Sequence, residues 1–284
     1  MDTSLKLMII AAHPDDETLG FGPTVARYAA EGVEVSLITA TRGERGWPLS
    51  PETYPGPAEL GRIRTGELAA AAKILGIGET DFLDYMDGDL DQADPSEAIQ
   101  KIVPIVRRVR PQVVMTFGPD GAYGHPDHIA ICQLATGALA CAADPTYSAP
   151  GEPHLVSKLY YMIGTQREFD LYTSMTGPIT IEVDGVLRRE FVWPDWAVSA
   201  RIETADYWAQ VSRAAQCHRT QFPEMDWERF AEEEFQRDLW NNENYYRAYS
   251  LVNGGRTLET DLFEGLRAPQ RVAGSASSRR DGSG

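Results

Sequence analysis

The sequence predicts a doubly wound, mostly parallel α/β sheet, on three observations. Apolar runs of strand length alternate with helical patterns through the first 145 residues. The first run, Leu7 to Ala12 (LMIIAA), is continuously apolar, which marks a strand covered on both faces. Helical patterns stop at glycines, Gly32 and Gly76, where a left-handed turn is needed.

Each element follows in order. The first strand spans about Leu5 to Ala12. A helix with Pro23 in its first turn carries Val25, Ala26 and Ala29 inward and stops at Gly32. Val33 to Thr39 (VEVSLIT) is the second strand. Glu59 to Leu75 is a helix, with Leu60, Ile63, Ala70 and Ile74 as its inward stripe. A short strand near Thr80 to Leu83 and a helix from Ser96 to Val109 come next. Gln112 to Phe117 (QVVMTF) is the fourth strand, and a helix opens near Pro126 and runs to Ala142. The β-α-β-α repetition requires right-handed crossovers and hence a parallel sheet.

The second half is less regular, of α+β character. Leu155 to Ile163 and Ile179 to Val183 read as strands, and Glu203 to His218 as a helix with Trp208, Val211 and Ala215 inward. Trp193, Trp196, Trp208, Trp227 and Trp240 cluster after residue 190, and such aromatics are expected in the core. Residues 267–284, rich in Gly, Ser and Arg, read as a disordered tail.

Composition narrows the partners. The 284 residues carry 26 basic and 42 acidic groups, a net charge of −16, which repels nucleic acid and anionic membranes alike. No apolar run approaches the roughly 20 residues of a membrane span. The run near the N-terminus is also too short and poorly flanked for a signal peptide. Three cysteines with no Cys-x-x-Cys pair make a poor disulfide or zinc framework, so they are expected as small buried hydrophobes in a cytoplasmic protein. The acidic stretch 79–97 reads as a solvated face except at Asp87, and His154 is expected to be exposed.

The chemistry lies in two loops. Three of the five histidines fall in His13-Pro-Asp-Asp-Glu17 and His125-Pro-Asp-His128, each just beyond the carboxyl end of a predicted strand. In strand order 3-2-1-4 those strands are neighbours, and the crevice between their carboxyl ends is where ligands bind. A single His-Pro-Asp is also a common turn with a helix cap. Two of them converging in a histidine-poor chain point to a metal, because imidazole and carboxylate together suit Zn2+. The first loop offers His13 with Asp15, Asp16 or Glu17, the second His125 or His128; spacing does not say which carboxylate binds metal and which acts as base.

AAHPDDE after the first strand, TRGERG after the second, RTGELAAAAKILGI on a helix and YGHPDHI after the fourth resemble the LmbE/PIG-L family of zinc-dependent N-acetylglucosaminyl deacetylases. CHRTQF at Cys217 to Phe222 is similar to a later His-x-Ser-Gln segment of that family, with Thr for Ser. Gly121 to Ile129 most resembles the mycothiol-pathway deacetylase and amidase branch.

The resemblance implies a Rossmann-like, LmbE-like fold with one metallohydrolase domain over residues 1–266. Residues 1–145 would form the core carrying the motifs and 146–266 a substrate-side extension. It implies one Zn2+ held by His13, Asp16 and His128, with Asp15 as the base that activates water and later protonates the leaving amine. A protonated His125 and Tyr123 would stabilise the oxyanion, while Arg64 and Asp87 would hold the sugar. The implied substrate is a small amino sugar, an N-acetylglucosamine-type amide. The alternatives are a mycothiol S-conjugate-type amidase or, in a different class, a two-metal phosphoesterase. A nucleotide-binding module is disfavoured, because carboxylates replace the Gly-x-Gly-x-x-Gly cradle after the first strand. His218 is expected as a core or supporting histidine, and Glu44 with Arg45 as a pair that orders its loop.

Overall fold

In the computed structural model, which describes residues 4–178, 180–183, 185–223 and 233–267, the chain builds one seven-stranded sheet. Its first half runs β1 (Lys6–Ala11), α1 (Asp16–Leu19), α2 (Gly22–Ala30), β2 (Glu34–Thr41), α3 (Pro57–Leu75), β3 (Ile77–Tyr85), α4 (Pro95–Val109), β4 (Val113–Phe117), α5 (Gly121–Gly124) and α6 (Pro126–Ala143). The second half adds β5 (Lys158–Met162), α7 (Gln166–Thr176), the hairpin β6 (Thr180–Val183) and β7 (Val186–Arg189), β8 (Ala200–Glu203), α8 (Trp208–Ala215), α9 (Glu233–Leu239) and β9 (Asn242–Ser250).

The sheet order is β3-β2-β1-β4-β5-β9-β8, parallel through β5 and antiparallel at β9 and β8. The expected order 3-2-1-4 is therefore present. β1 lies between β2 and β4, and every residue of β1 after Lys6 is buried, as an apolar strand covered by helices on both faces requires. Pro23 sits in the first turn of α2, and Asp94 caps α4 by accepting from the amides of Ser96 and Glu97.

Several expectations change. On α3 the buried stripe is Leu60, Arg64, Leu68, Ala71 and Leu75, while Ala70 faces out. The period is helical, but its phase admits an arginine because Arg64 is tied down by three oxygens described below. The helix expected over Glu203 to His218 shortens to Trp208–Ala215: Glu203 ends β8, and Thr204 turns the chain by bonding the carbonyl of Trp240. Of the clustered tryptophans among the described residues only Trp240 is buried; Trp196 is 85% exposed, Trp193 and Trp208 are half-buried, and Trp227 lies outside the described residues. Apart from Arg267, so does the tail.

The acidic face is paired as well as solvated. Arg108 binds Glu79 and Asp81, Arg42 binds Asp84, Arg45 binds Asp89 and Lys101 binds Glu97. Cys132 is buried, whereas Cys141 and Cys217 are half-buried, and all three thiols are free. His154 is half-buried, with Nε2 2.7 Å from the carbonyl of Pro111.

The second half joins the same core. β5 and β9 carry a buried network in which Lys158 Nζ lies 2.7 Å from Glu259 Oε1, with Arg247 and Asn253 on the same oxygen. Both Lys158 and Glu259 are essentially fully buried. Removing Lys158 leaves the buried Glu259 carboxylate with Arg247 alone as counter-charge, so Lys158→Met is expected to cost about 2 kcal/mol of stability, read from urea unfolding. Glu259→Gln is expected to cost at least as much, since it removes the carboxylate shared by Lys158 and Arg247 and can keep an accepting oxygen for Asn253 or for Tyr160 but not for both.

Candidate functional site

Strand order brings the two histidine loops together at the carboxyl ends of β1 and β4. His13 and Asp16 leave β1 through a tight turn in which Asp16 Oδ2 accepts from the amides of Ala12 and His13, at 3.0 and 2.8 Å. That turn forces Asp15 to φ +115°, a strained value for a residue with a Cβ. From the other loop, His125 caps α6, and His128, one turn in, stacks on Phe117 with ring centroids 3.8 Å apart.

Three donor groups face one point. His13 Nδ1 lies 3.2 Å from His128 Nε2 and 3.9 Å from Asp16 Oδ2, and Asp16 Oδ1 lies 3.5 Å from His128 Nε2. Donors bound to a tetrahedral zinc at about 2.0–2.1 Å stand about 3.3 Å apart, so this triad suits a divalent metal. The far nitrogen of His13 supports the same reading. Its Nε2 lies 3.0 Å from Asp127 Oδ2 and 3.2 Å from Asp87 Oδ1, the carboxylate–histidine arrangement that turns the opposite nitrogen toward a metal. Burial works against the charged forms here. It is outweighed at His13, whose proton affinity Asp127 and Asp87 raise, and at Asp16, which the facing His128 and His13 hold well below the usual carboxylate range.

Asp15 stands beside the triad. Its Oδ2 accepts from Arg64 at 3.1 Å, and burial raises its pKa to about 6 against the opposing pull of that guanidinium. Arg64 also donates to the carbonyls of Gly43 (3.0 Å) and Pro14 (2.5 Å). A Cβ at Gly43 or Gly46 would fall 2.3 Å from this guanidinium, which explains both glycines of TRGERG. Asp87 is engaged on both oxygens, by His13 and by the amide of Arg45 at 3.0 Å. Glu44 and Arg45 do not bond each other: Glu44 accepts from the amides of Arg42 and Asp87, and Arg45 clasps Asp89, so both order the loop that carries Asp87.

Tyr123 packs edge-on against His125 and His128, with centroids 5.7 and 5.4 Å away, and burial beside Asp16 and Asp15 keeps its hydroxyl protonated. The residue before it, Ala122, is strained at φ +64°, ψ −67°. It is clamped by Asp120, which accepts its amide, and by Phe191, which donates to its carbonyl. Trp193 Nε1 in turn holds Asp120 at 2.9 Å. His125 Nδ1 accepts the amide of Asp127 at 3.1 Å, so its single proton sits on Nε2. Burial, with His13 and His128 beside it, lowers its pKa to about 4. The ring thus offers its Nε2 proton as a donor.

Two supporting groups escaped the sequence reading. Asp127, buried in the second loop, joins His13 to the amides of Gly88 and Leu90. Its signal was the carboxylate between the two histidines of His-Pro-Asp-His. Trp193, through Asp120, has no local signal at all. Glu17 and His218, both fully buried, bond at 2.7 Å, and Glu17 also accepts the amide of Asp15. His218 is therefore the expected supporting histidine.

The triad opens into a cavity of about 340 Å³ that runs under α7 and α9. Glu243 lines it, with Oε2 held by the Thr24 amide and the Tyr245 hydroxyl. Burial raises the Glu243 pKa to about 7. The folded chain therefore binds this proton more tightly than the unfolded chain. The resulting stabilisation is complete below about pH 4.3 and is lost as pH rises through about 7. Glu243→Gln, which does not ionise, is expected to gain about 2 kcal/mol relative to the parent between pH 4 and pH 8 in urea unfolding, allowing for screening at the cavity. A constant difference across that range would mean that Glu243 titrates normally.

Comparison with known proteins agrees with this geometry. The PIG-L family profile, GlcNAc-PI de-N-acetylase, matches residues 8–139, which hold both histidine loops. The 1D-myo-inositol 2-acetamido-2-deoxy-alpha-D-glucopyranoside deacetylase of Streptomyces avermitilis is 36% identical over 290 residues, covering 92% of this chain and 97% of that protein. The conserved protein TT1542 of Thermus thermophilus superposes with TM-score 0.62 at 27% identity, over 88% of this chain and 97% of its own. The N,N'-diacetylchitobiose deacetylase of Pyrococcus horikoshii shares the fold, with TM-score 0.64 at 22% identity over 85% and 83% of the two chains. With both motif loops inside the matched segment and near-full-length similarity beyond it, the chain belongs to the PIG-L de-N-acetylase family of hydrolases.

Proposed function

We propose that this chain is a zinc-dependent N-deacetylase that removes acetate from an N-acetylglucosamine-type amide on a small glycoside or conjugate. The observation that carries the reading is the convergence of His13 Nδ1, His128 Nε2 and the Asp16 carboxylate on one point, with Asp15 adjacent and not part of the triad. A Zn2+ held there would polarise the amide carbonyl and lower the pKa of water to about 7.

The remaining steps belong to this chain's own residues. Asp15 takes a proton from the attacking water as its oxygen bonds to the carbonyl carbon. The negative charge on the former carbonyl oxygen is met by the Nε2 proton of His125 and the hydroxyl of Tyr123. Asp15 then passes its proton to the nitrogen as the C–N bond breaks, releasing acetate and a free amine. Arg64 and Asp87 keep their proposed contacts to the sugar. Geometry adds a positioning role for each, since Arg64 donates to Asp15 and Asp87 accepts from His13.

A two-metal phosphoesterase gains nothing from the second His and Asp grouping, His13 with Asp87 and Asp127, because those carboxylates face the outer nitrogen of a residue already in the triad. The relatives are named as deacetylases, which favours acetamide cleavage over conjugate amidase action. We also take residues 1–266 as one domain, supported by a sheet and core shared by both halves. Among the described residues no helix is long and apolar enough to cross a membrane. A cytoplasmic location is part of the proposal, supported by the three free thiols.

The test is amine release from methyl N-acetyl-β-glucosaminide and its myo-inositol glycoside by protein loaded with one equivalent of Zn2+. Acetate and amine are expected in equal amounts and only with metal present. Turnover of phosphate esters in place of acetamides would reject the reading.

A further inference from the structure

The loop that carries Tyr123 is held from outside by the β6–β7 hairpin and the segment after it. Arg188, on β7, donates from Nη1 to the carbonyl of Gly124 at 2.9 Å, and the amide of Phe191 donates to the carbonyl of Ala122 at 2.9 Å. The carbonyls on either side of Tyr123 are therefore both taken by one run of chain, residues 188–191. Further along, Trp193 Nε1 donates to Asp120 Oδ1 at 2.9 Å, and the other oxygen of Asp120 accepts the Ala122 amide at 3.0 Å. Trp193 is fixed in its turn: its amide donates to the carbonyl of Gly164 at 2.8 Å, and its ring centroid lies 5.4 Å from that of Tyr246 on β9.

This hold has a strained backbone to oppose. Ala122, at φ +64° and ψ −67°, has the dihedrals of a γ-turn with positive φ, a rare form for a residue with a Cβ. Such a conformation persists where its surroundings over-determine it, and residues 188–193 supply those surroundings. At Gly124, φ +78°, a Cβ would fall 2.9 Å from Arg188 Cδ, so the missing side chain lets Arg188 lie against the loop. Without the hold, Ala122 relaxes toward ordinary dihedrals. A rotation just before Tyr123 then carries its ring away from His125 and His128, whose centroids lie 5.7 and 5.4 Å from it.

We propose that Arg188 and Trp193 are positioning residues for Tyr123, fixing its hydroxyl where the negative oxygen of the reaction develops. They act through the carbonyl of Gly124 and through Asp120, from the second half of the chain. The inference rests on the deacetylase reading for the oxyanion that Tyr123 meets. A displaced donor still lets substrate bind but no longer meets the charge formed in the transition state, so the loss falls on kcat.

Trp193→Phe and Arg188→Met each remove one hydrogen bond and keep most of the packing. In the zinc-loaded enzyme acting on methyl N-acetyl-β-glucosaminide, each is expected to lower kcat about tenfold, with KM within about twofold and zinc still at one equivalent. Leu187→Ala, on the same strand with its side chain in solvent, is expected to leave kcat and KM as they are. A double-mutant cycle separates positioning from a merely structural role. In a Tyr123→Phe background, which has no hydroxyl left to place, Trp193→Phe is expected to cost less than about twofold further. Hydrogen exchange reads the same hold without turnover: the amides of residues 121–124 are expected to exchange about tenfold faster in both variants, while β4 and the interior of α6 keep parent rates.

Any of three results overturns the inference: kcat at the parent level in both variants, losses that multiply in the double variant, or loss of zinc together with activity. Faster loop exchange in variants of a parent that releases no amine from any acetamide instead rejects the deacetylase reading and leaves the grip of the hairpin on the loop standing.

Discussion

Replacing Asp15 by asparagine is expected to lower kcat by about 10²–10⁴ while zinc stays bound at one equivalent. Asp15 is not one of the three converging groups, His13 Nδ1, His128 Nε2 and the Asp16 carboxylate, and its only side-chain bond among the described residues is the one that Oδ2 accepts from Arg64. Asparagine keeps that acceptor and removes the ability to carry a proton. It is also the right substitution for the backbone, because Asp15 sits at φ +115° and Asn tolerates positive φ better than most residues. The check is kcat with elemental analysis of the same sample, beside Asp16→Asn. The Asp16 variant is expected to lose metal, because its carboxylate faces both His13 and His128. Equal loss of zinc from the two variants would show that both carboxylates are ligands.

A second loss of comparable size is expected at His128. Its Nε2 faces His13 and Asp16, and its ring is sandwiched between Phe117 and His125, so the ligand nitrogen is held in place by packing. His128→Ala is expected to abolish stoichiometric zinc binding and activity together. Because the alanine also leaves a hole beside Phe117, His128→Gln, closer in volume, separates the two causes. It is expected to fold with near-parent unfolding behaviour and still fail to hold the metal. Full zinc retention in His128→Ala would falsify the assignment. Asp127→Asn, which weakens the support of His13, is expected to cost about 10–100-fold in zinc affinity, measured by competition with a chelator.

The legible part of this protein is the part whose signals are local. Continuous apolar runs, prolines in first turns and glycine stops place β1, α2, β2, α3, α4, β4 and α6 to within a few residues. The second half resists for a physical reason. β9 (NENYYRAYS) mixes polar and aromatic residues without strict alternation at the antiparallel end of the sheet, and no apolar run marks it. α7 does carry a signature, the capping box of Thr165 and Glu168, which the polar sequence QREFD masks. The tryptophans misled because a large apolar side chain indicates burial only on average, and Trp196 stands in solvent.

Residue type at short spacing, joined to topological rules, was enough for the α/β class, the central strand order, the two histidine loops at neighbouring strand ends, and the family. The division of labour inside the site needed the folded chain. That Asp16 faces the histidines while Asp15 faces Arg64 depends on a turn at φ +115°, which reverses two adjacent and chemically identical side chains. That Asp127 and Asp87 share one nitrogen of His13, and that Trp193 reaches Asp120, depends on contacts between residues 73 to 114 positions apart. Such contacts are invisible to periodicity, because spacing along a chain constrains only neighbours within a few turns, whereas the site is assembled by the packing of strands and loops that meet after folding.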